Sequence, residues 1–206
     1  AKIRGGAEAR EMAALFEDVG KGLGLTVVSR ITDGSAPIGR GVGPALEARD
    51  VMRVLSNAPD GPADLREKSL TFAARIIAFD PAFRAGDGLK RARELLDGGA
   101  ALDAMNHIID LQGRNPAPPE PGPLQWEYPS PAAGIVSAID CWRISGIARR
   151  AGAPLDKTAG IDLLKQIGDP VAEGEPLFRI HAGAEVDFAV AKDAAEGDSG
   201  FDIEPG

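Results

Sequence analysis

Three glycines and an arginine stand directly before a predicted helix in the sequence GRGVGPALEARD, residues 39–50. Backbone N–H groups at the start of a helix attract anions, and the side chain of Arg40 would add positive charge. The same glycines also suit a loop that needs positive φ angles and close packing. No Gly-Lys-Ser/Thr follows them, and the loop before them is too long for a dinucleotide-binding fingerprint. The motif therefore favours a structural loop over a phosphate site, and both interpretations stay open.

Other side chains with chemical potential are isolated along the sequence. His107, in a predicted helix, and His181, at the end of a predicted strand, have no Cys or His partner at metal-ligand spacing. We therefore predict no metal site and expect both histidines to be core or surface residues. Cys141 stands beside Trp142 near a predicted helix start without an obvious base partner, so a buried thiol is expected.

The elements that would position these residues are mainly helices in the first half of the chain. Apolar residues at helical spacing predict helices over 6–22, 63–79, 87–97 and 99–111, and Pro44 predicts the start of another helix. The β-branched run LTVVSRI, residues 25–31, predicts a strand. A single strand cannot satisfy its own hydrogen bonds, so this strand must join others that lie elsewhere.

The second half of the chain changes character at a proline-rich stretch. Residues 113–131 hold seven prolines, which indicates a stiff linker, assigned to 113–123. Beyond it, GIVSAID, GIDLLKQ and EPLFRIHA predict strands, CWRISGIARRAG and EVDFAVAKDAAEG predict helices, and DIEPG predicts a last edge strand. The predicted fold is an α/β fragment over 1–112, helix-rich with one or few strands of an incomplete sheet. A small α+β, barrel-sandwich-like C-terminal domain follows over 124–206.

Composition narrows the class of protein. The chain has 206 residues, of which 44% are apolar, so it can bury a core. Its 23 basic and 31 acidic residues give a net charge of -8, which argues against a nucleic-acid partner. No apolar run is long enough for a membrane span, and a single cysteine makes a reducing cytoplasm the expected location. The sequence begins without Met, which fits either Met removal or a piece of a longer protein.

Two longer stretches resemble the pyrimidine-nucleoside phosphorylase family, which includes thymidine phosphorylase and the archaeal AMP phosphorylases. In RITDGSAPIGRGVGPALEARDVMRVL a strand ends in Thr-Asp, and a helix opens with Gly-x-Ala-x-Glu. In GDPVAEGEPL the family's C-terminal hairpin pattern is matched. The variant DGSAPIGRG looks closer to the AMP phosphorylase-like branch. The matching residues are Thr32, Asp33, Gly39, Gly43, Ala45, Glu47, Gly168, Asp169, Val171, Gly174, Pro176 and Leu177.

The resemblance implies a transferase that cleaves a nucleoside or nucleotide with inorganic phosphate, giving a free base and a sugar 1-phosphate. It implies no cofactor besides phosphate as co-substrate, and a homodimeric full-length enzyme that works in pyrimidine salvage. The family's N-terminal helical domain and early glycine-rich loops are not in this sequence. We therefore expect the C-terminal portion of a longer polypeptide, lacking most of the catalytic site and inactive in isolation.

Few residues of this chain are expected at the substrate. Lys2, in AKIR, resembles the lysine of a family loop beside the substrate, although a solvated lysine on a frayed terminus is the simpler explanation. Arg149 and Arg150 precede AGAPLD, which resembles a family segment near the cleft between domains; there they would meet an anion, or they are a solvated helix end. Asp33 is expected to form a turn and Glu47 to be a first-turn carboxylate. No catalytic residue is predicted.

Two alternatives to a phosphorylase fragment stay open. One is a stand-alone, non-catalytic binding or regulatory module of the same fold. The other is a relative of biotin and lipoate carriers, in which the GDPVAEGEPLF hairpin pattern also occurs. The carrier interpretation is disfavoured because Lys165 lacks the Met neighbours that such carriers place beside their modified lysine.

Overall fold

A computed structural model describes residues 3, 5–83 and 86–206 of the chain. The chain forms two compact units, Ala1–Ala36 and Pro37–Gly206. Among the described residues, no helix combines the length and the apolar character needed to cross a membrane.

The first unit consists of helix α1, Gly6–Gly22, and a segment that follows it. The helix is where the apolar spacing predicts it, but residues 25–31 form no strand, so that prediction is wrong for this chain. A strand needs a partner for its backbone groups, and no described residue pairs with this segment. Val27 instead packs against Gly20, where any side chain would collide with Val27 Cγ2.

Helices dominate the start of the second unit, as predicted. They are α2, Pro44–Leu55, α3, Ala63–Ile77, α4, Asp87–Asp97, and α5, Ala100–Leu111. Their shared interior, called the helix core, consists of Val54, Leu70, Ala92 and Leu96. Beside it lies an apolar cavity of about 270 Å³ that Leu65, Ala73 and Ala101 also line.

Two antiparallel sheets form the rest of this unit. In chain order the strands are β1, Gly41–Val42, β2, Leu124–Pro129, β3, Gly134–Ile139, β4, Gly160–Leu163, β5, Pro170–Val171, β6, Pro176–Ala182, and β7, Phe201–Glu204. One sheet has the order β1-β4-β6-β2 and the other β5-β3-β7. The predicted strands β3, β4, β6 and β7 are confirmed, whereas β1, β2 and β5 were not predicted. The two sheets stay separate rather than closing into a barrel.

Helices α6, Cys141–Arg150, and α7, Glu185–Gly197, pack with the sheets around one large interior. Tyr128, Phe178 and Phe201 stack in series within it, with ring centroids 5.1 and 5.7 Å apart. This interior, called the sheet core, consists of Val136, Ile139, Ile144, Ile147, Ala148, Ala151, Ala153, Ala159, Ile161, Leu163, Val171, Leu177, Phe178, Ile180, Ala182, Ala191, Ala195 and Phe201. The helix-rich part and the small α+β part are thus both present.

Strand β1 links these two parts. It comes from the glycine-rich loop, and it pairs with β4 through Gly41 opposite Asp162 and Val42 opposite Ile161. Residues 113–123 contain neither helix nor strand. The division into domains 1–112 and 124–206 stays a prediction, but one strand of the C-terminal sheet comes from the first of them.

Candidate functional site

The glycine-rich loop before α2 is held by carboxylates of the chain itself. The N–H groups of Arg40 and Gly41 both donate to Oδ2 of Asp50, each at 2.7 Å. The N–H of Gly39 donates to Asp64 at 2.9 Å, and the N–H of Gly43 donates to Glu47 at 3.0 Å. Because these donors are already used, the backbone of this loop does not form a phosphate cradle.

Packing explains two of the glycines in this loop. Gly43 has a φ of 136°, and a Cβ there would lie 2.4 Å from the carbonyl oxygen of Ala159. A Cβ at Gly41 would lie 2.5 Å from the backbone of Leu46. Both glycines let the loop approach β4 and α2 closely. The structural interpretation of the motif therefore fits the geometry, and Glu47 has the structural role predicted for it.

Asp50 is the centre of the loop's charge network. It is 2% exposed, and besides the two backbone donors it accepts hydrogen bonds from Arg49, from Nε at 3.2 Å and from Nη2 at 3.0 Å. Buried carboxylates need such donors, because desolvation of an unpaired charge is costly. Beside this network, Nη1 of Arg40 is buried without a hydrogen-bond partner among the described residues.

Arg49 extends the network from α2 to the four-stranded sheet. Its Nη1 and Nη2 donate to the two oxygens of Asp162 at 2.7 and 2.8 Å, a bidentate pair. These hydrogen bonds raise the pKa of Arg49 above its ordinary value. Asp162 lies opposite Arg179 in the sheet, and Nε of Arg179 donates to Glu127 at 3.1 Å. Alternating charges therefore cross the sheet from β2 to α2, and we call Glu127, Arg179, Asp162, Arg49 and Asp50 the charge ladder.

His181 lies on the same face of the sheet as Arg179, because the two residues are two positions apart along β6. It is 3% exposed, and burial lowers the pKa of its imidazole. Its Nδ1 lies 3.4 Å from the carbonyl oxygen of Gly122, and its Nε2 has no partner among the described residues. His181 is thus a core histidine, as predicted, and it is uncharged at neutral pH.

Of the three predicted site residues, the structure describes Arg149 and Arg150. Lys2 lies outside the described residues. Arg149 and Arg150 are exposed in the last turn of α6, where Arg150 donates to the carbonyl oxygen of Gly146 at 3.0 Å. Arg150 borders a polar cleft between α6 and α7 that also contains Arg143. A contact between either arginine and a substrate stays a prediction.

The environments of the remaining candidates, His107, Asp33 and Cys141, are described next to their expected roles. His107 is exposed on α5, and Asp33 accepts a hydrogen bond from the N–H of Ser35 at 2.9 Å, which confirms its role as a turn former. Cys141 is half-buried, and burial raises the pKa of its thiol, which disfavours the nucleophilic thiolate. Within residues 3, 5–83 and 86–206, no three His, Cys, Asp or Glu side chains cluster as metal ligands.

Lys165 lies beside the segment 168–177 that resembles a carrier domain, but its amine is engaged. It forms an ion pair with Glu175 and donates to the carbonyl oxygen of Pro170 at 3.0 Å. A swinging-arm lysine needs an exposed amine at a turn tip. The geometry therefore gives no support to the carrier alternative.

Comparisons with known proteins find relatives along nearly the whole chain. Residues 135–201 match the family model described as the pyrimidine nucleoside phosphorylase C-terminal domain. A protein of Rhodopseudomonas palustris named "Putative thymidine phosphorylase" is 53% identical over 98% of this chain and 40% of its own length. The chain belongs to the pyrimidine nucleoside phosphorylase family. It corresponds to the C-terminal portion of these proteins.

Two further relatives have the same relation to the chain. A Bradyrhizobium protein of the same name is 54% identical over 100% of the chain and 40% of its own length. A Cupriavidus pinatubonensis protein named "Bifunctional ribose 1,5-bisphosphokinase-thymidine phosphorylase" is 56% identical over 92% of the chain and 32% of its own length. The chain therefore spans about two-fifths of the first relatives it matches, and the AMP phosphorylase-like branch stays a prediction.

Sequence reasoning missed the charge ladder of this family member. Its two ends, Glu127 and Asp50, are 77 positions apart in the chain, and Arg49 meets Asp162 over 113 positions. One signal was available, since aspartate is unfavourable in a helix interior unless a tertiary partner holds it. Asp50 stands in the middle of α2, so its position pointed to such a partner.

Proposed function

We propose that this chain is the C-terminal, non-catalytic part of a thymidine phosphorylase-like pentosyltransferase. The observation that carries the proposal is the 53% identity to the Rhodopseudomonas palustris relative over 98% of the chain. The name of that relative describes the activity, and the proposal is supported by the glycine-rich loop of this chain, whose N–H groups donate to the chain's own carboxylates.

The proposed reaction is phosphorolysis. Inorganic phosphate forms a bond to the sugar carbon as the bond from that carbon to the base breaks, and the base leaves with the electron pair and takes up a proton. Positive charge develops on the sugar in the transition state, so the enzyme must place phosphate under the sugar and neutralise the base. We assign these tasks to the part of the parent protein that this chain does not match.

The chain itself would supply a rigid frame. The ladder and the loop carboxylates fix α2 to the sheet, and the exposed Arg149 and Arg150 are cations that an anionic substrate could approach. The substrate would be a nucleoside or its 5′-monophosphate, with phosphate as the only other small molecule. The parent enzyme would be a cytoplasmic homodimer of pyrimidine salvage.

Phosphate-dependent release of free base tests this proposal. The substrates are thymidine, uridine, cytidine, AMP and CMP, and the proteins are the 206-residue chain and a chimera. In the chimera, this chain replaces the matching portion of the Rhodopseudomonas palustris relative. The relative itself is the positive control.

We expect turnover by the chimera and none by the chain alone. Turnover by the chain alone would show that the catalytic groups lie within it. An inactive but folded chimera, beside an active relative, would favour the stand-alone binding or regulatory module.

A further inference from the structure

The cavity beside the helix core is enclosed by four helices of one unit. Val51, Leu65, Leu95 and Ala101 line it and come from α2, α3, α4 and α5, in that order. Its volume is about 270 Å³. Because protein interiors leave few voids larger than a water molecule, this volume exceeds an ordinary packing defect. The four helices therefore hold open a pocket.

The lining of the pocket is apolar and uncharged. Twelve described side chains line it, and every one of them except Ser69 is apolar. Water gains little in such a space, because it finds too few hydrogen-bond partners there. An apolar cavity of roughly 150 Å³ stays dry and can bind benzene, so the larger pocket of this chain has room for an aromatic ring with a substituent.

Most of the apolar lining is already withdrawn from solvent. The four helix-core residues are at most 7% exposed, and of the twelve lining residues only Val51 and Ser69 are exposed, which places them at the mouth. A docking helix or strand needs an exposed apolar stripe on which to lie. The burial of this lining instead suits a small molecule that enters through the mouth.

We propose that this pocket binds a small, uncharged aromatic molecule with a single ring. The ring would supply the contacts that Leu65, Leu95 and Ala101 lack towards the empty space, and the hydroxyl of Ser69 would meet a polar substituent at the mouth. A ligand of this size should bind with a Kd of about 0.1–1 mM. Phosphorolysis, as proposed above, makes no use of this pocket.

Calorimetric titration of the 206-residue chain with toluene and with benzoate tests the proposal. The two probes have the same ring and differ in charge. Toluene should bind, whereas benzoate should bind at least about tenfold more weakly, because the pocket offers its carboxylate no cation. No binding of toluene, or equal binding of the two probes, would overturn the proposal.

Two matched substitutions locate the binding site. Ala73→Leu fills the pocket and should weaken toluene binding by at least about tenfold. Ala189→Leu makes the same change at an exposed position of α7 and should leave toluene binding unchanged. If the two variants bind toluene equally well, the pocket is not the site.

Nuclear Overhauser contacts locate the probe without any substitution. The methyl group of toluene should show contacts to the methyl groups of Leu65, Leu95 and Ala101 in the unmodified chain. Contacts confined to side chains outside the pocket would contradict the proposal, whatever the folding of the variants.

The chimera with the Rhodopseudomonas palustris relative separates a small ligand from a segment of polypeptide. Retained toluene binding there would support the small molecule as the occupant. Loss of that binding in a folded chimera would show that the rest of the protein fills the pocket, and would overturn the proposal. Turnover of the chimera is a separate measurement, so an inactive chimera that binds toluene would contradict the proposed function alone.

Discussion

The helix core and the sheet core both consist of buried apolar residues, but they differ in size and in how tightly they are packed. The helix core has four buried apolar members and borders a cavity of about 270 Å³, whereas the sheet core has eighteen described members. Protein interiors are normally close-packed, and this cavity is half open to solvent, so the side chains that line it make fewer contacts than enclosed ones. The comparison indicates that helices α3–α5 rely on their attachment through α2, while the sheets stabilise themselves.

The charge ladder and Leu46 make that attachment. Leu46 is fully buried, close to Gly41 of β1 and Gly160 of β4, and Arg49 joins the same helix to Asp162. A helix with a poorly filled interior on one side is thus fixed on the other side by packing and by a bidentate ion pair. Four predictions test this difference between the two cores.

Shortening one leucine in each core should have unequal effects. Leu177→Ala in the sheet core should lower the free energy of unfolding by about 4 kcal/mol, because the site is fully enclosed. Leu70→Ala in the helix core should lower it by only about 2 kcal/mol, because that side chain already borders the cavity. Urea unfolding followed by circular dichroism measures both values, and equal losses would remove the proposed difference in packing.

Removing Arg49 from the charge ladder should lower the free energy of unfolding more than removing an arginine from an exposed ion pair. Arg49→Met leaves the buried Asp50 and the half-buried Asp162 without their guanidinium, and should lower the free energy of unfolding by about 2–3 kcal/mol. Arg143→Met, which removes the exposed pair with Asp198, should change it by less than about 1 kcal/mol. The same urea experiment compares them. A loss at Arg49 no larger than at Arg143 would mean that the ladder does not anchor α2.

Enlarging one alanine in each core should give changes of opposite sign. Ala73→Leu projects into the cavity and should raise the free energy of unfolding by about 0.5–1 kcal/mol. Ala191→Leu inserts the same atoms into a fully buried site and should lower it by about 1–3 kcal/mol. Thermal unfolding of the two variants beside the unmodified chain decides the sign. Destabilisation by both would show that the cavity cannot accept a side chain.

The smallest expected effect is a pH dependence that originates in the sheet region. Burial lowers the pKa of His181 in the folded chain below its unfolded value of about 6.5, so the unfolded chain binds more protons in that interval. Stability should therefore fall as the pH drops through about 6.5 and stop falling once the pH is below the folded pKa.

Urea unfolding between about pH 7.5 and pH 5 measures this slope. His181→Gln should remove the contribution, while His107→Gln on the exposed side of α5 should retain it. A slope that persists unchanged in His181→Gln would assign it to other groups.

Sequence patterns predicted most of the regular elements, for identifiable reasons. Helices α1 and α3–α5 carry apolar residues at helical spacing, and glycines lie at or just after the ends of α1, α4 and α5; these are local signals. The short strands β1 and β5 have two residues each, too few for an alternating pattern, and β2 lies within proline-rich sequence. The segment 25–31 has strand composition but no partner, so composition alone gave the wrong result there.

In the candidate site too, some residue roles were predictable from the sequence and others were not. Asp33 and Glu47 act on backbone groups two and four residues away, and their roles were predictable from neighbouring residues. The hydrogen-bond acceptors of the N–H groups in the glycine-rich loop were only partly predictable. Asp50 and Asp64 reach the loop through a helical turn and a second helix, and nothing in the motif indicates that they use its donors.

By itself, the amino-acid sequence determined the family, most helices, the strands β3, β4, β6 and β7, and the structural roles of residues that act on their neighbours. These features depend on motif identity and on interactions within about one turn of chain. Only the tertiary structure decided that β1 joins the C-terminal sheet and that Arg49 meets Asp162. It also showed that the loop amides already have acceptors. Such contacts join residues far apart in the chain, and the folding of the whole unit, rather than any local pattern, brings them within bonding distance.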